Sequence, residues 1–340
     1  AMKSGAARKK IDDLQVYKDQ LTNRLDPSMS IMQGINAKIR KNPKRVIFAE
    51  GEDENMLKAA IEFGRNKLGV PILIGAENRV KEQLKKIGLD ENYKIEIVNS
   101  TDKEKREKYV KHLYKKLQRE GQLERDVDRL VRNDRIAWGS SMIACKDADA
   151  MVTGNIRHYA ASIEKLKKVV DARPNEEIFG MTMIVSKGKT ILVADTNVTE
   201  LPSAERLVNI SKSCVRIARL FGFEPKVAFL SHSTFGKPIS RNTRHVRDAI
   251  EKLKKEKVDF DFDGEMQPDV ALNPIYQEIY PFSKIVGNAN ILIMPALHSA
   301  AISTKLMKVF GGGKNIGPLL IGLGQPIEVA PLRASTSEIL

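Results

Sequence analysis

The chain is predicted to be an α/β protein made of two parallel-sheet α/β domains with a cleft between them. Three observations lead there. From Lys44 onward, short apolar runs alternate with amphipathic helical patterns, the order a helix-covered parallel sheet requires. At 340 residues, 42% of them hydrophobic, the chain can fill more core than one compact domain needs. Its longest apolar runs, VGNANILIMPAL and IGPLLIGLG, fall well short of the roughly 20 residues that span a bilayer.

The elements follow in order. Residues 1–43 read as a helical arm: KKIDDLQVYKDQLTNRL sets Ile11, Leu14, Leu21 and Leu25 near helical spacing, and SMSIMQGINAKIRKNP continues as a second helix. Three strand–helix units come next: RVIFAEG with DENMLKAAIEFGRNKL, VPILIG with ENRVKEQLKKIG, and KIEIVN with a long charged helix. Another helix precedes the strand DADAMVTGN. IFGMTMIVSKGKTILVAD then reads as two strands around a KGK turn, a hairpin. A second α/β series runs through SAERLVNISKSCVRIARLFG (helix), PKVAFLSHS (strand), TRHVRDAIEKLKKE (helix) and FDFDGEMQPDVALNP (strand and loop). ANILIMPA, a helix and IGPLLIGLG close it.

Charge and cysteines exclude several functions. The net charge of +14 is spread over helices such as KEKREKYVKHLYKKLQREG and mixed with glutamate, without aromatic interleaving or a basic arm, so no nucleic-acid partner is expected. A polyanionic small ligand is the more interesting partial cause. Cys145 and Cys214 lack CxxC spacing and read as buried bystanders. Ala1 ahead of Met2 looks like a scar of tag removal, no signal peptide is evident, and a cytoplasmic location is the default expectation. GxGxxG, GxxxxGK[ST] and HExxH are all missing; FGGGKNIG at 310–317 has glycines at the wrong spacing.

In a parallel sheet, ligands sit beyond the carboxyl ends of strands, and that rule selects candidates. After KVAFL come Ser231, His232, Ser233 and Thr234, suited either to a phosphate or carbonyl oxygen or to capping the next helix. Asp263, Glu265 and Asp269 follow another strand as a base, a cation site or, the favoured reading, a salt-bridge network. Asn288 and His298 flank the ANILIMPA strand, with a structural histidine the commoner case. Arg333, after the last strand and turn, suits either phosphate or carboxylate recognition or a surface salt bridge.

Together the segments KRVIFAEGEDENMLKAA, DADAMVTGN, ILVADTNVTELPSAERLVNIS, VAFLSHSTFG, DFDGEMQPDVAL, ANILIMPAL and IGPLLIGLGQPIEV resemble the phosphate acetyl/butyryltransferases. The resemblance implies an isocitrate/isopropylmalate dehydrogenase-like architecture and homodimers or higher homo-oligomers. It also implies a first domain of residues 44–153 plus 318–340 and a second of 154–317. In the active enzymes the CoA thiol attacks acetyl phosphate, with an aspartate base and an arginine doing the main work. Arg333 matches the arginine of the family's Ser-Arg-Gly motif.

The surroundings depart from the pattern. Leu332 stands for the serine, Ala334 for the glycine, and the aspartate of EDI is replaced by Ile339, or by Glu338 if one residue is deleted. Phe235 replaces a lysine, Ala301 an asparagine, and GNIRHYAAS lacks Thr-Ala-Asp. The N-terminal stretch and LSHSTFG are similar to a subgroup, the C-terminal domain of hybrid NADP-dependent malic enzymes. The resemblance therefore implies a regulatory module that binds acetyl-CoA or CoA in the cleft through Ser231, His232, Ser233, Thr234, Asn288, His298 and Arg333. Transfer activity, resting on Arg333 and Glu338, is expected to be weak or lost, and the alternative is an active phosphate acetyltransferase. The chain is expected to be an excised portion whose NADP and Mg or Mn chemistry belongs to a preceding malic enzyme domain.

Overall fold

A computed structural model describes residues 27–89, 94–186, 188–238, 243–311 and 313–340, with side chains described for all of these except 27–31 and 277. The helix expected around Ile11 to Leu25 lies outside them. Helix α1 (Pro27–Lys41) is present as expected and lies beside the second sheet.

The first sheet has five strands, all parallel, in the order β11-β4-β1-β2-β3. These are β1 (Lys44–Phe48), β2 (Gly69–Ile74), β3 (Glu96–Val98), β4 (Ala150–Gly154) and β11 (Ile327–Ala330). Between them run α2 (Glu54–Arg65), α3 (Glu77–Lys86), α4 (Lys103–Leu117), α5 (Glu124–Asn133), α6 (Arg135–Ala144) and α7 (Tyr159–Val169). Side chains alternate along each strand, so Ile47, Ile72, Met151, Ile327 and Val329 face α4–α7, where Tyr109 and Trp138 meet edge to face at 4.9 Å. Phe48, Leu73 and Ala330 face α2 and α3 on the other side. Burial on both faces accounts for strands written as unbroken apolar runs.

The second sheet, in the order β10-β5-β6-β9-β7-β8, is mixed: a parallel core extended by antiparallel strands on one side. Strands β6 (Lys189–Ala194), β7 (Lys226–Leu230), β8 (Asp261–Met266) and β9 (Ile291–Ile293) are parallel. Strand β5 (Phe179–Ser186) joins β6 as the predicted hairpin, and β10 (Lys314–Ile321) adds antiparallel to β5. A tight turn can only return the chain antiparallel, and everything beyond it inherits that direction. Helices α8 (Ala204–Leu220) and α9 (Arg244–Glu256) cover one face; α10 (Pro268–Leu272) and α11 (Leu297–Phe310) cover the other.

Two linkers join the sheets, residues 170–178 and 322–326. Strand β10 stays with the second sheet to Ile321, so the return crossing falls a few residues later than the Gly317 expected from sequence. The linkers are paired: Arg173 N donates to Gly322 O and Gly324 N to Asp171 O, both at 2.8 Å. Gly322, at φ +88°, passes so close to the other linker that a Cβ there would lie 1.9 Å from Glu177 O. The chain ends in the single-turn helix α12 (Thr336–Ile339), whose Ile339 packs in the α2 core.

Candidate functional site

In the first sheet the chain runs outward from β1 to β3 and restarts with β4 on the other side of β1. The crevice beyond the carboxyl ends of β1 and β4 is thus the switch point where open α/β sheets hold ligands. It is lined by polar residues from three strand ends. Glu50, just past β1, is fully buried and accepts from Thr153 Oγ1 of β4 at 3.0 Å, while its Oε2 has no partner. Burial pushes the Glu50 carboxyl up to about 7, against the lowering influence of Thr153, Arg157, Arg135 and the Gly154 amide.

Next to Glu50, Asp53 caps α2 by accepting from Met56 N at 3.0 Å and also accepts from Asn155 Nδ2 at 2.5 Å. Asn155 Oδ1 and Arg157 Nη1 are buried without partners. Both follow β4, where Gly154 (φ +109°) and Asn155 (φ +63°) turn the chain back over the strand end. Gly154 is required there, because a Cβ would sit 2.3 Å from Ala330 O of β11. Arg333, in the loop after β11, is fastened to this turn: its backbone N donates to Asn155 O at 2.8 Å with φ +58°. Its exposed guanidinium makes no hydrogen bond or ion pair with the described residues. Two arginines and an orphaned amide oxygen around one crevice can hold an oxyanion together with a hydrogen-bond donor.

Glu338 stands close by in sequence and differs in chemistry. Its Oε2 accepts from Ser335 N at 2.9 Å and from Ser335 Oγ at 2.8 Å, a capping box for α12, and its Oε1 pairs with Lys308 of α11 at 2.6 Å. The Lys308 bond first, then the two Ser335 bonds, hold its carboxyl down at about 2. A carboxylate so acidic and so fully engaged is a poor proton acceptor near neutral pH.

The other sequence candidates divide between two ends of the second sheet. Ser231 and Ser233 lie beyond β7 with hydroxyls 3.0 Å apart, and Ser233 Oγ donates to the buried Glu265 at 2.9 Å. Glu265 also accepts from Gly236 N at 3.2 Å and faces Arg247 at 3.6 Å. Thr234 Oγ1 accepts from Gln267 N at 3.2 Å, and Gln267 Nε2 donates to His232 O at 2.7 Å, leaving the His232 ring exposed. Ser233 and Thr234 are turned inward, on the Glu265 carboxylate and the Gln267 amide. Asp263 accepts from Gly264 N and Lys284 N, and Asp269 accepts from Val270 N. His298 is exposed at the start of α11, beyond the carboxyl end of β9. Asn288 lies at the opposite, amino end of β9, where its amide donates to Leu272 O at 2.6 Å and accepts from Lys189 Nζ at 3.1 Å. The structure therefore does not bring Asn288 together with the rest. Cys145 and Cys214 carry free thiols, both pushed upward by burial.

The residues that sequence reasoning passed over are Glu50, Asp53, Thr153, Asn155 and Arg157. Their signal was available: each directly follows or ends an apolar strand in FAEGED or VTGNIR.

Along its whole length the chain is 42% identical to an NADP-dependent malic enzyme of Rhizobium meliloti, of which it spans 45%. It spans about half the length of this and two other curated relatives, all named malic enzymes. It is also 29% identical to the phosphate acetyltransferase of Clostridium acetobutylicum, covering 92% of this chain and 96% of that one. Among solved structures, a phosphotransacetylase from Streptococcus pyogenes superposes with a TM-score of 0.84 at 28% identity, over 92% of this chain and 95% of that one. EutD phosphotransacetylase from Staphylococcus aureus gives 0.80 at 25% identity over the same shares. The family model described as Phosphate acetyl/butaryl transferase matches residues 30–340. With its α/β architecture and its last strand returning beside the β1/β4 crevice, the chain belongs to the phosphate acetyl/butyryl transferase family.

Proposed function

We propose that the chain is a phosphate acetyltransferase-like regulatory domain of the malic enzyme type, which binds acetyl-CoA at the β1/β4 crevice and carries out little or no acyl transfer. One observation carries the reading. The anion-binding arginine is kept with its guanidinium uncommitted, whereas Glu338, standing near the expected base, is tied to Ser335 and Lys308. Arg157 and Arg333, neither in an ion pair with the described residues, suit the phosphates of a thioester carrier. Relatives named NADP-dependent malic enzymes support the regulatory half, and hydride transfer with NADP and Mg or Mn would lie in a part of such proteins outside this chain. A division into two units, in an isocitrate dehydrogenase-like arrangement facing a common cleft, belongs to the same proposal, with the boundaries expected at 153/154 and 317/318 moved to the linkers 170–178 and 322–326.

Calorimetric titration with acetyl-CoA tests it. Saturable binding is expected, weakened roughly tenfold or more in Arg333→Ala, the loss of one charge-assisted contact. Absence of binding at millimolar acetyl-CoA overturns it. The second reading, an active phosphate acetyltransferase, is favoured by the near-complete coverage of the Clostridium acetobutylicum enzyme. Formation of acetyl-CoA from acetyl phosphate and CoA at rates abolished by Arg333→Ala would establish that reading instead.

The partner is a second copy of the chain. Helix α11 turns Ile302, Leu306, Val309 and Phe310 outward, 51–81% exposed, in an i, i+4, i+7, i+8 stripe. Beside it β10 is an edge strand of the second sheet. A stripe that is apolar along its length is complementary to itself across a two-fold axis.

A further inference from the structure

On the side of the first sheet away from the crevice there is a second cavity, of about 450 Å³. Its floor is apolar, Leu113 of α4 and Val170 of the first linker, and its rim is basic, with His112, Lys115 and Lys116 from the last turns of α4. Gln325 closes it from the second linker. The pocket thus touches α4 and both linkers at the place where Asp171 O and Gly324 N hold the two linkers together.

Three features of the pocket point to a ligand. Lys116 Nζ is paired with Asp171 Oδ1 at 2.8 Å, which balances its charge. Lys115 makes no ion pair with the described residues, which leaves the rim one positive charge in excess while His112 is neutral. Burial and Lys115 both hold His112 below its ordinary value, consistent with neutrality at pH 7. Gln325 Oε1 is buried without a donor, a costly arrangement that a ligand hydroxyl would relieve.

We propose that this pocket is a second ligand site, for a compact oxyanion, phosphate or carboxylate, that also bears a hydroxyl. Lys115 holds the oxyanion, beside the Lys116–Asp171 pair, and Gln325 accepts from the hydroxyl. Because the occupant bridges α4 to both linkers, it stiffens the linker pair and alters the affinity of the β1/β4 crevice for its own ligand. That second clause rests on the crevice reading above, and the first does not.

The test titrates the intact chain, followed by calorimetry and by the His112 ring resonances, with inorganic phosphate, glycerol 3-phosphate and glycerate. Saturable binding of glycerol 3-phosphate or glycerate is expected, tighter than that of inorganic phosphate. Which of the two binds better separates a phosphate head from a carboxylate head. Lys115→Ala, at an exposed position, should weaken binding roughly tenfold. Gln325→Leu should abolish the preference for the hydroxylated probes. No saturable binding by any of the three, or binding unmoved by both variants, overturns the site. Acetyl-CoA titrated with and without the bound probe should differ at least threefold in affinity; equal affinities overturn the coupling. Should acetyl-CoA fail to bind under either condition, the crevice reading fails while the first titration still decides the pocket.

Discussion

Glu338 shows how a residue's neighbours decide its chemistry. With its carboxyl held at about 2, below the ordinary 4.5, it contributes stability that is present above pH 4.5 and is lost as the pH falls toward 2. The melting temperature of Glu338→Gln should therefore lie below that of the wild type at neutral pH and converge with it toward pH 2. The gap stays small because Lys308 and Glu338 are both more than one third exposed. Glu328 of β11 behaves in the opposite way. Burial raises its carboxyl to about 8, although it accepts from Leu320 N at 2.8 Å. The folded state then holds a proton that the unfolded state has released, so stability declines as pH rises from 4.5 to 8. Glu328→Gln keeps an acceptor and removes the titration. Urea denaturation should find it more stable than wild type at pH 8 by on the order of 4 kcal/mol, with no such gain at pH 4. Sequence pattern left Arg333 open between anion recognition and a surface salt bridge, and it could not foresee that Glu338 would be consumed by Lys308, thirty residues away and on another sheet's helix.

At the scale of elements, strands and helices were legible because each fully buried strand is an unbroken apolar run and each helix is amphipathic. The caps were not assigned from sequence: Asp53, Asp102, Asp134 and Ser203 each accept from a backbone N–H in the first turn of the following helix. The mixed second sheet was only half legible. The hairpin has a local signature, but the pairing of β10 with β5 joins segments more than a hundred residues apart and leaves no mark on either. The β4–β11 contact has the same character, and Gly154 is its sensitive point. Gly154→Ala combines a left-handed backbone with a clash against Ala330 O and should cost at least ~2 kcal/mol in denaturant unfolding. Any variant that still folds should lose acetyl-CoA binding, since Asn155 and Arg333 hang from that turn.

For the whole molecule, charge and composition gave the size and class, and family resemblance gave the ligand chemistry. The crevice itself emerges only when β4 is seen to pair with β1 instead of β3. The outward face of α11 supplies the test at this scale. Sedimentation equilibrium should give twice the chain mass for the wild type. The pair Leu306→Asp with Phe310→Asp should give the monomer mass with an unchanged far-ultraviolet spectrum. A wild-type monomer at micromolar concentration would remove the two-fold proposal.

The late position of β11 bears on how the protein is made. Strand β4 emerges from the ribosome well before its neighbour β11, with the entire second sheet translated in between. Until then the nascent first sheet carries an open parallel edge at Ala150–Gly154, and Arg333 has no turn to fasten to. The crevice thus closes only after the whole second sheet has been synthesised, and chains truncated before Ile327 would keep that open edge and be aggregation-prone.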